Sequence, residues 1–185
     1  MTDLVGLVLA AGAGTRFGGP KALARTPSGE PWVGRAVALL VDAGCERVVV
    51  VLGAEADAAR PLVPRGASVV VASRWRSGMG ASLAAGMAAL PEADAALVTL
   101  VDLPGLPGSV VARVLAEGTE RDVLARAVFG GVPGHPVLLG RDHWDAFRDA
   151  LRGDRGGRAF LEEHGVTHVE CGDLFSGEDV DRPPL

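Results

Sequence analysis

The chain has 185 residues, 48% hydrophobic and 22% charged, enough to bury the core of one globular domain and unlike the composition of a disordered one. A formal net charge of -5 argues against a duplex nucleic-acid surface, while one local basic loop still suffices for a small anion. Cys45 and Cys171 make no CxxC pair, and the apolar start from Leu4 to Gly14 lacks a basic flank and the length to span a bilayer, so a cytoplasmic protein without a membrane partner is expected.

In chain order, Leu4 to Leu9 reads as a buried strand and is followed by a loop holding Gly12, Gly14, Gly18, Gly19 and Pro20. Trp32 to Ala43 has helical spacing, with Val37, Leu40 and Val41 on one stripe and Gly44 as its stop. Arg47 to Leu52 is a second buried strand, Glu55 to Leu62 a short helix, and Ser68 to Ala72 a third strand. The loop from Ser73 to Gly80 opens a helix with Ser82 in its first turn. Ala95 to Val101 is a fourth strand ending at Asp102, and Pro107 and Ser109 start a helix to about Glu117. Val123 to Ala127 and Pro136 to Leu139 flank a glycine-rich turn and are able to pair. Arg141 to Leu151 reads as a late helix, Thr167 to Glu170 as a last strand, and the tail from Gly177 as polar.

Alternating strands and helices with near-continuous apolar strands predict a single α/β domain over 1–185, a Rossmann-like three-layer sandwich around a mostly parallel sheet. Such sheets bind ligands at the carboxyl ends of their strands near a topological switch point. That rule selects the loops after Leu9 and Ala72, and Asp102.

The first loop runs Leu9-Ala10-Ala11-Gly12-Ala13-Gly14-Thr15-Arg16 and on to Lys21. Small residues let backbone N–H groups approach an anion closely, and Arg16 and Lys21 add full charge, which together make a triphosphate cradle. Lys21 is the single lysine among 18 Lys and Arg residues. Packed beside N–H dipoles and Arg16, its charged form is expected to be disfavoured and its amine reactive. A dinucleotide-binding GxGxxG is the competing reading, but the third glycine is out of place and no acidic residue closes the second strand. A Walker A loop is excluded, because no Gly-Lys-Ser/Thr is present.

Asp102, in Thr99-Leu-Val-Asp-Leu-Pro104, stands where a Mg²⁺ ligand belongs, and a helix-capping or turn aspartate is an equal reading from the residues alone. Gly78, Met79 and Ser82 sit where backbone and a helix N-terminus reach a ligand. His135, in Gly134-His-Pro-Val-Leu, reads by itself as structural or surface. Arg152, Arg155 and Arg158 lie on glycine-rich backbone, able to hold a phosphate or to lie in solvent.

Leu-Ala-Ala-Gly-x-Gly-x-Arg-x-Gly-x-x-Lys closely resembles the signature loop of the nucleotidyltransferases that include the molybdenum cofactor cytidylyl- and guanylyltransferases. The resemblance implies a nucleotide-diphospho-sugar transferase-like fold, and a nucleotide site of Leu9 to Gly14, Lys21, Gly78, Met79 and Ser82. It implies Asp102 as the principal Mg²⁺ ligand, and, from Glu178-Asp-Val-Asp-Arg-Pro, Asp181 as the second with Asp179 behind it. It implies His135, Arg155 and Arg158 as the acceptor side. The implied reaction moves CMP from CTP to molybdopterin with release of pyrophosphate, Arg16, Lys21 and Asp102 being catalytic and a molybdoenzyme receiving the product. A guanylyltransferase, an enzyme for another phosphorylated acceptor, and a cofactor-carrying chaperone without catalysis are the rival readings.

Overall fold

The computed structural model describes residues 3–151 and 157–182. Among them one sheet holds β1 (Leu4–Ala10), β2 (Arg47–Leu52), β3 (Ser68–Val71), β4 (Ala95–Leu100), β5 (Leu124–Phe129), β6 (Val132–Gly140) and β7 (Thr167–Glu170). The helices are α1 (Trp32–Asp42), α2 (Ala56–Ala59), α3 (Met79–Ala88), α4 (Gly108–Leu115), α5 (Trp144–Ala150) and α6 (Arg158–Glu163). Spatial order across the sheet is β3-β2-β1-β4-β6-β5-β7. Only β6 runs against its neighbours, as the return strand of a hairpin with β5.

β1 is buried along its full length and sends alternate side chains to two cores. Leu4, Val8 and Ala10 pack with Trp32, Val33, Val37 and Leu40 of α1 and Val110, Val111 and Val114 of α4. Val5, Leu7 and Leu9 pack with Leu83 and Met87 of α3, with Trp144 and Phe147 of α5, and with Phe160 and Leu161 of α6. These are the three layers, helices over both faces of the sheet. A Cβ on Gly86 would lie 2.6 Å from Val51 and 2.9 Å from Leu7, so glycine is what lets α3 press onto β1 and β2.

The chain leaves β1 outward through β2 and β3, then crosses back to β4 on the other side of β1. The carboxyl ends of β1 and β4 therefore flank the switch point. Two segments differ from expectation. Arg141–His143 forms a 3-10 turn ahead of α5, whose Trp144 turns inward and donates to the Leu139 carbonyl at 2.9 Å. α6 was not expected: six residues are too few to display a helical period, and Phe160 and Leu161 hold it in place through the core. Among the described residues no helix is long and apolar enough to cross a membrane.

Candidate active site

Beyond Ala10 the chain doubles back at Gly14, where φ is +58°. Its carbonyl accepts from the N–H groups of Phe17, Gly18 and Gly19 at 2.9, 2.9 and 3.1 Å. A Cβ at Gly14 would stand 1.9 Å from the Gly19 carbonyl oxygen, so the turn is closed to any other residue. The loop opens no α-helix; a 3-10 turn, Lys21–Leu23, follows it. A dinucleotide fold needs a helix N-terminus at that place. An acidic residue does stand three positions past β2, Glu55, but it is exposed and leads into α2.

That 3-10 turn aims Lys21 across the mouth of the sheet. Its Nζ donates to Asp102 Oδ2 at 2.9 Å and to Asp181 Oδ1 at 2.7 Å, with Asp179 Oδ2 at 4.0 Å. Arg16 Nη1 meets the other Asp181 oxygen at 2.9 Å. The tail is fixed over this end of β4 because the Val180 N–H donates to the Asp102 carbonyl at 3.0 Å. Burial pulls the Lys21 pKa down, but the hydrogen bonds from Asp181 and Asp102 and their charges outweigh it and leave the pKa raised. The expectation of a disfavoured ammonium is therefore corrected: two contacts with carboxylates distant in sequence outweigh the effect of burial. The hydrogen bond from Lys21 in turn holds the Asp181 carboxyl below its ordinary range, against the opposing effect of burial.

Asp102 Oδ1 is sealed from solvent and has no hydrogen-bond partner. A hard cation suits such an oxygen. Among the described residues no group of three or more His, Cys, Asp or Glu is gathered to hold a metal. The donor set thus fits an ion that takes one or two carboxylates and completes its shell with water and substrate phosphates, as Mg²⁺ does.

A cleft of about 460 Å³ opens above these groups. Its walls include every expected nucleotide residue, from Leu9 to Gly14 with Lys21, Gly78, Met79 and Ser82, together with Arg16, Asp102, Asp179 and Asp181. Of the further wall residues with no role assigned from sequence, Phe17, Trp75 and Arg76 carry an aromatic ring or a charge. The Arg76 guanidinium lies 4.3 Å above the Trp75 ring, and both stood in plain view in the loop before α3. A hollow of about 520 Å³ outside α3 is slightly larger, but Arg74 is its one charged wall residue and it touches neither the loop nor the carboxylates.

Residues 6–169 match the model of the MobA-like NTP transferase domain. The chain belongs to that family. Nicotine blue oxidoreductase of Paenarthrobacter nicotinovorans is 39% identical over 196 residues, covering 97% of this chain and 94% of that protein. The crystal structure of Rv0371c from Mycobacterium tuberculosis H37Rv superposes with a TM-score of 0.82 at 26% identity, covering 98% of this chain and 94% of the other. A complex of Rv0371c with manganese gives 0.75 at 25% identity, over 92% and 89%. A nucleotidyl transferase from Methanothermobacter, at 20% identity and a TM-score of 0.80 over 97% and 92%, shares the fold.

Of the expected acceptor residues of this family member, His135 and Arg158 lie apart from the cleft wall. His135 sits half-buried on β6, where burial first and the charge of Arg126 second push its pKa down to about 4. It is a neutral imidazole at neutral pH. Arg158 begins α6 and is exposed. Arg155 lies outside the described residues, as does Arg152. Sequence reasoning passed over Arg126, a buried cation in β5 beside His135.

Proposed function

We propose that the chain is a metal-dependent cytidylyltransferase of this family, passing CMP from CTP to the terminal phosphate of molybdopterin in the cytoplasm. The observation that carries the transferase reading is the bridge of Lys21 between Asp102 and Asp181 at the foot of the glycine loop. A single ammonium occupies the place between two carboxylates where a divalent cation and a triphosphate would meet.

Asp102 and Asp181 would hold the ion, Mg²⁺ by preference, which when bound neutralises phosphate charge. The acceptor phosphate oxygen attacks the α-phosphorus of CTP; one P–O bond forms as the bond to the β-phosphate oxygen breaks, and pyrophosphate leaves. No general base is required, because a phosphate monoester is already ionised near neutral pH. The residues align and stabilise. Backbone N–H groups from Ala11 to Gly14 face the phosphates, and Arg16 takes the leaving pyrophosphate. Lys21, released from its carboxylates, moves to the charge that develops on the α-phosphoryl group. Trp75 and Met79 wall the far side of the cleft, where the base lies, and Ser82 meets it from α3.

Pyrophosphate release is measured with molybdopterin and Mg²⁺, offering CTP, GTP, UTP and ATP in turn. CTP turnover above the others is the expected result; preference for GTP moves the chain to the guanylyltransferase branch. Triphosphate binding with no release from any of the four leaves a carrier role. Asp102→Asn keeps the side-chain volume while removing anionic character, so turnover collapses and the fold survives. Near wild-type transfer by that variant would remove Asp102 from the metal.

A second reading comes from the 39% relative, whose name assigns it an oxidoreductase activity. The missing helix after the glycine loop weighs against a dinucleotide bound in the usual way. Consumption of a nicotinamide dinucleotide in the presence of a dye acceptor, with no pyrophosphate from any triphosphate, would establish this second reading instead.

A further inference from the structure

Arg126, in the middle of β5, is the one charged side chain fully buried among the described residues, with 5% of its surface exposed. Its Nε and Nη1 are sealed from solvent, and neither has a hydrogen-bond partner. Glu162 Oε1 on α6 comes no nearer to Nη1 than 3.6 Å and is shared with His168 Nε2 at 3.2 Å. Arg158, one helical turn before Glu162, adds a second positive charge to the same spot. A buried guanidinium with idle donors weakens a fold unless something occupies them in use.

Its position is informative. Arg126 pairs with Val137 and Val137 with Val98, so these side chains share the α3 face of the sheet, the face where Leu9 and Ala11 wall the cleft. At about 4.8 Å per strand, Arg126 lies about 10 Å from β4 along that face. Between Arg126 and Val128 the pairing with β6 shifts register, leaving a bulge around His135 next to the guanidinium. Bulges of this kind redirect side chains beside functional sites.

We propose that Arg126, with Arg158 beside it, is an oxyanion site for the second substrate. An anionic group of the acceptor other than the phosphate that attacks CTP enters beneath α6, replaces the distant Glu162 carboxylate at Nη1, and accepts from the idle Nε–H. Guanidinium suits this task better than ammonium, since its fixed donors match a phosphate edge. Glu162 holds the place loosely: it is 43% exposed and free to swing outward. Only the identity of the molecule that carries this anionic group rests on the transferase reading.

Inorganic phosphate is titrated into the full chain without metal or nucleotide, and the melting temperature is followed for wild type, Arg126→Met, Glu162→Gln and Arg16→Ala. Phosphate stabilises the wild type through binding to the native state. Arg126→Met keeps or raises the melting temperature of the free protein, because an apolar chain of similar length replaces an unpaired charge. The same variant weakens phosphate binding by about tenfold or more, the loss of a charge-assisted hydrogen bond. Glu162→Gln tightens binding severalfold, and Arg16→Ala removes only the part of the shift that phosphate at the glycine loop contributes, leaving the Arg126-dependent part in place. The site is overturned if phosphate does not stabilise the wild type, or if its effect disappears in Arg16→Ala and persists in Arg126→Met. Should Arg126→Met fail to fold, the surface variant Glu162→Gln decides, an unchanged phosphate affinity there overturning the proposal. Phosphate binding at Arg126 in a chain that releases no pyrophosphate from any triphosphate would keep this site and discard the transferase reading.

Discussion

Lys21 Nζ stands 2.7 Å from Asp181 and 2.9 Å from Asp102, so its charge is secured by partners far away in sequence. An amine-directed reagent at about pH 8, where an ordinary lysine already reacts through its small neutral fraction, will modify the α-amino group and largely spare Lys21. Asp181→Asn removes one of the two carboxylates and will raise the labelling rate; equal rates in both proteins would mean that the bridge does not persist in solution. Lys21→Arg keeps the charge but replaces a compact donor with a planar fork, and a lost transition-state contact costs ~3 kcal/mol, a rate loss of about 10²–10³. The expected outcome is retained triphosphate binding with most turnover gone, read by thermal shift and pyrophosphate release. His135 supplies a pH signature. Its folded pKa, about 4, lies below the ordinary value of 6.5, so the unfolded chain binds the extra proton between those values. Stability therefore falls as pH drops through that window, by up to about 3 kcal/mol. Urea unfolding at about pH 7 and about pH 4.5 will show a smaller difference in His135→Asn than in wild type.

At the scale of elements, the loop after β1 is held by a single carbonyl that accepts three N–H groups, and Gly14 alone fits its turn. Gly14→Ala adds a left-handed alanine, at a cost of about 1–2 kcal/mol, and a clash with the Gly19 carbonyl. The loop will open rather than the sheet, because β1 is anchored on both sides by β2 and β4. Far-UV circular dichroism is then unchanged while Mg·CTP loses its stabilising effect. Retained CTP binding in Gly14→Ala would mean that this turn is not the cradle. Elements that carry their own period, such as β1, β2 and α1, were legible in the sequence to within a residue or so. α6 and the start of α5 were not, since a short helix owes its existence to what it packs against rather than to its own pattern.

At the scale of the molecule, the two carboxylates are brought together by the sheet and the tail. Asp102 stands two residues past β4, while Asp181 returns from the far end of the chain and crosses the cleft mouth, secured by the Val180–Asp102 backbone bond. Removing residues 177–185 takes away Asp179 and Asp181 but, among the described residues, no strand or helix. The truncated chain will fold with a somewhat lower melting temperature and require far more Mg²⁺ to bind a triphosphate, as measured by titrating the metal at fixed CTP. An unaltered metal requirement would assign the tail a purely structural part.

The first strand, glycine loop and lysine follow one another at spacings that local chemistry dictates, and Asp102 stands just past an apolar strand of its own. For that reason the sequence by itself determined the α/β class, the cradle and the metal-side carboxylate as expectations. Asp102 lies 81 residues from Lys21 and Asp181 lies 160 away. No local pattern records those distances, so the sign of the Lys21 pKa shift was decided only by the folded chain. The same holds for Arg126. Set between Ala125 and Ala127, it looks like any arginine on a half-exposed strand. Its burial comes from α6 lying over β5, a contact between segments more than thirty positions apart that burial of Phe160 and Leu161 drives and that strand periodicity alone does not encode.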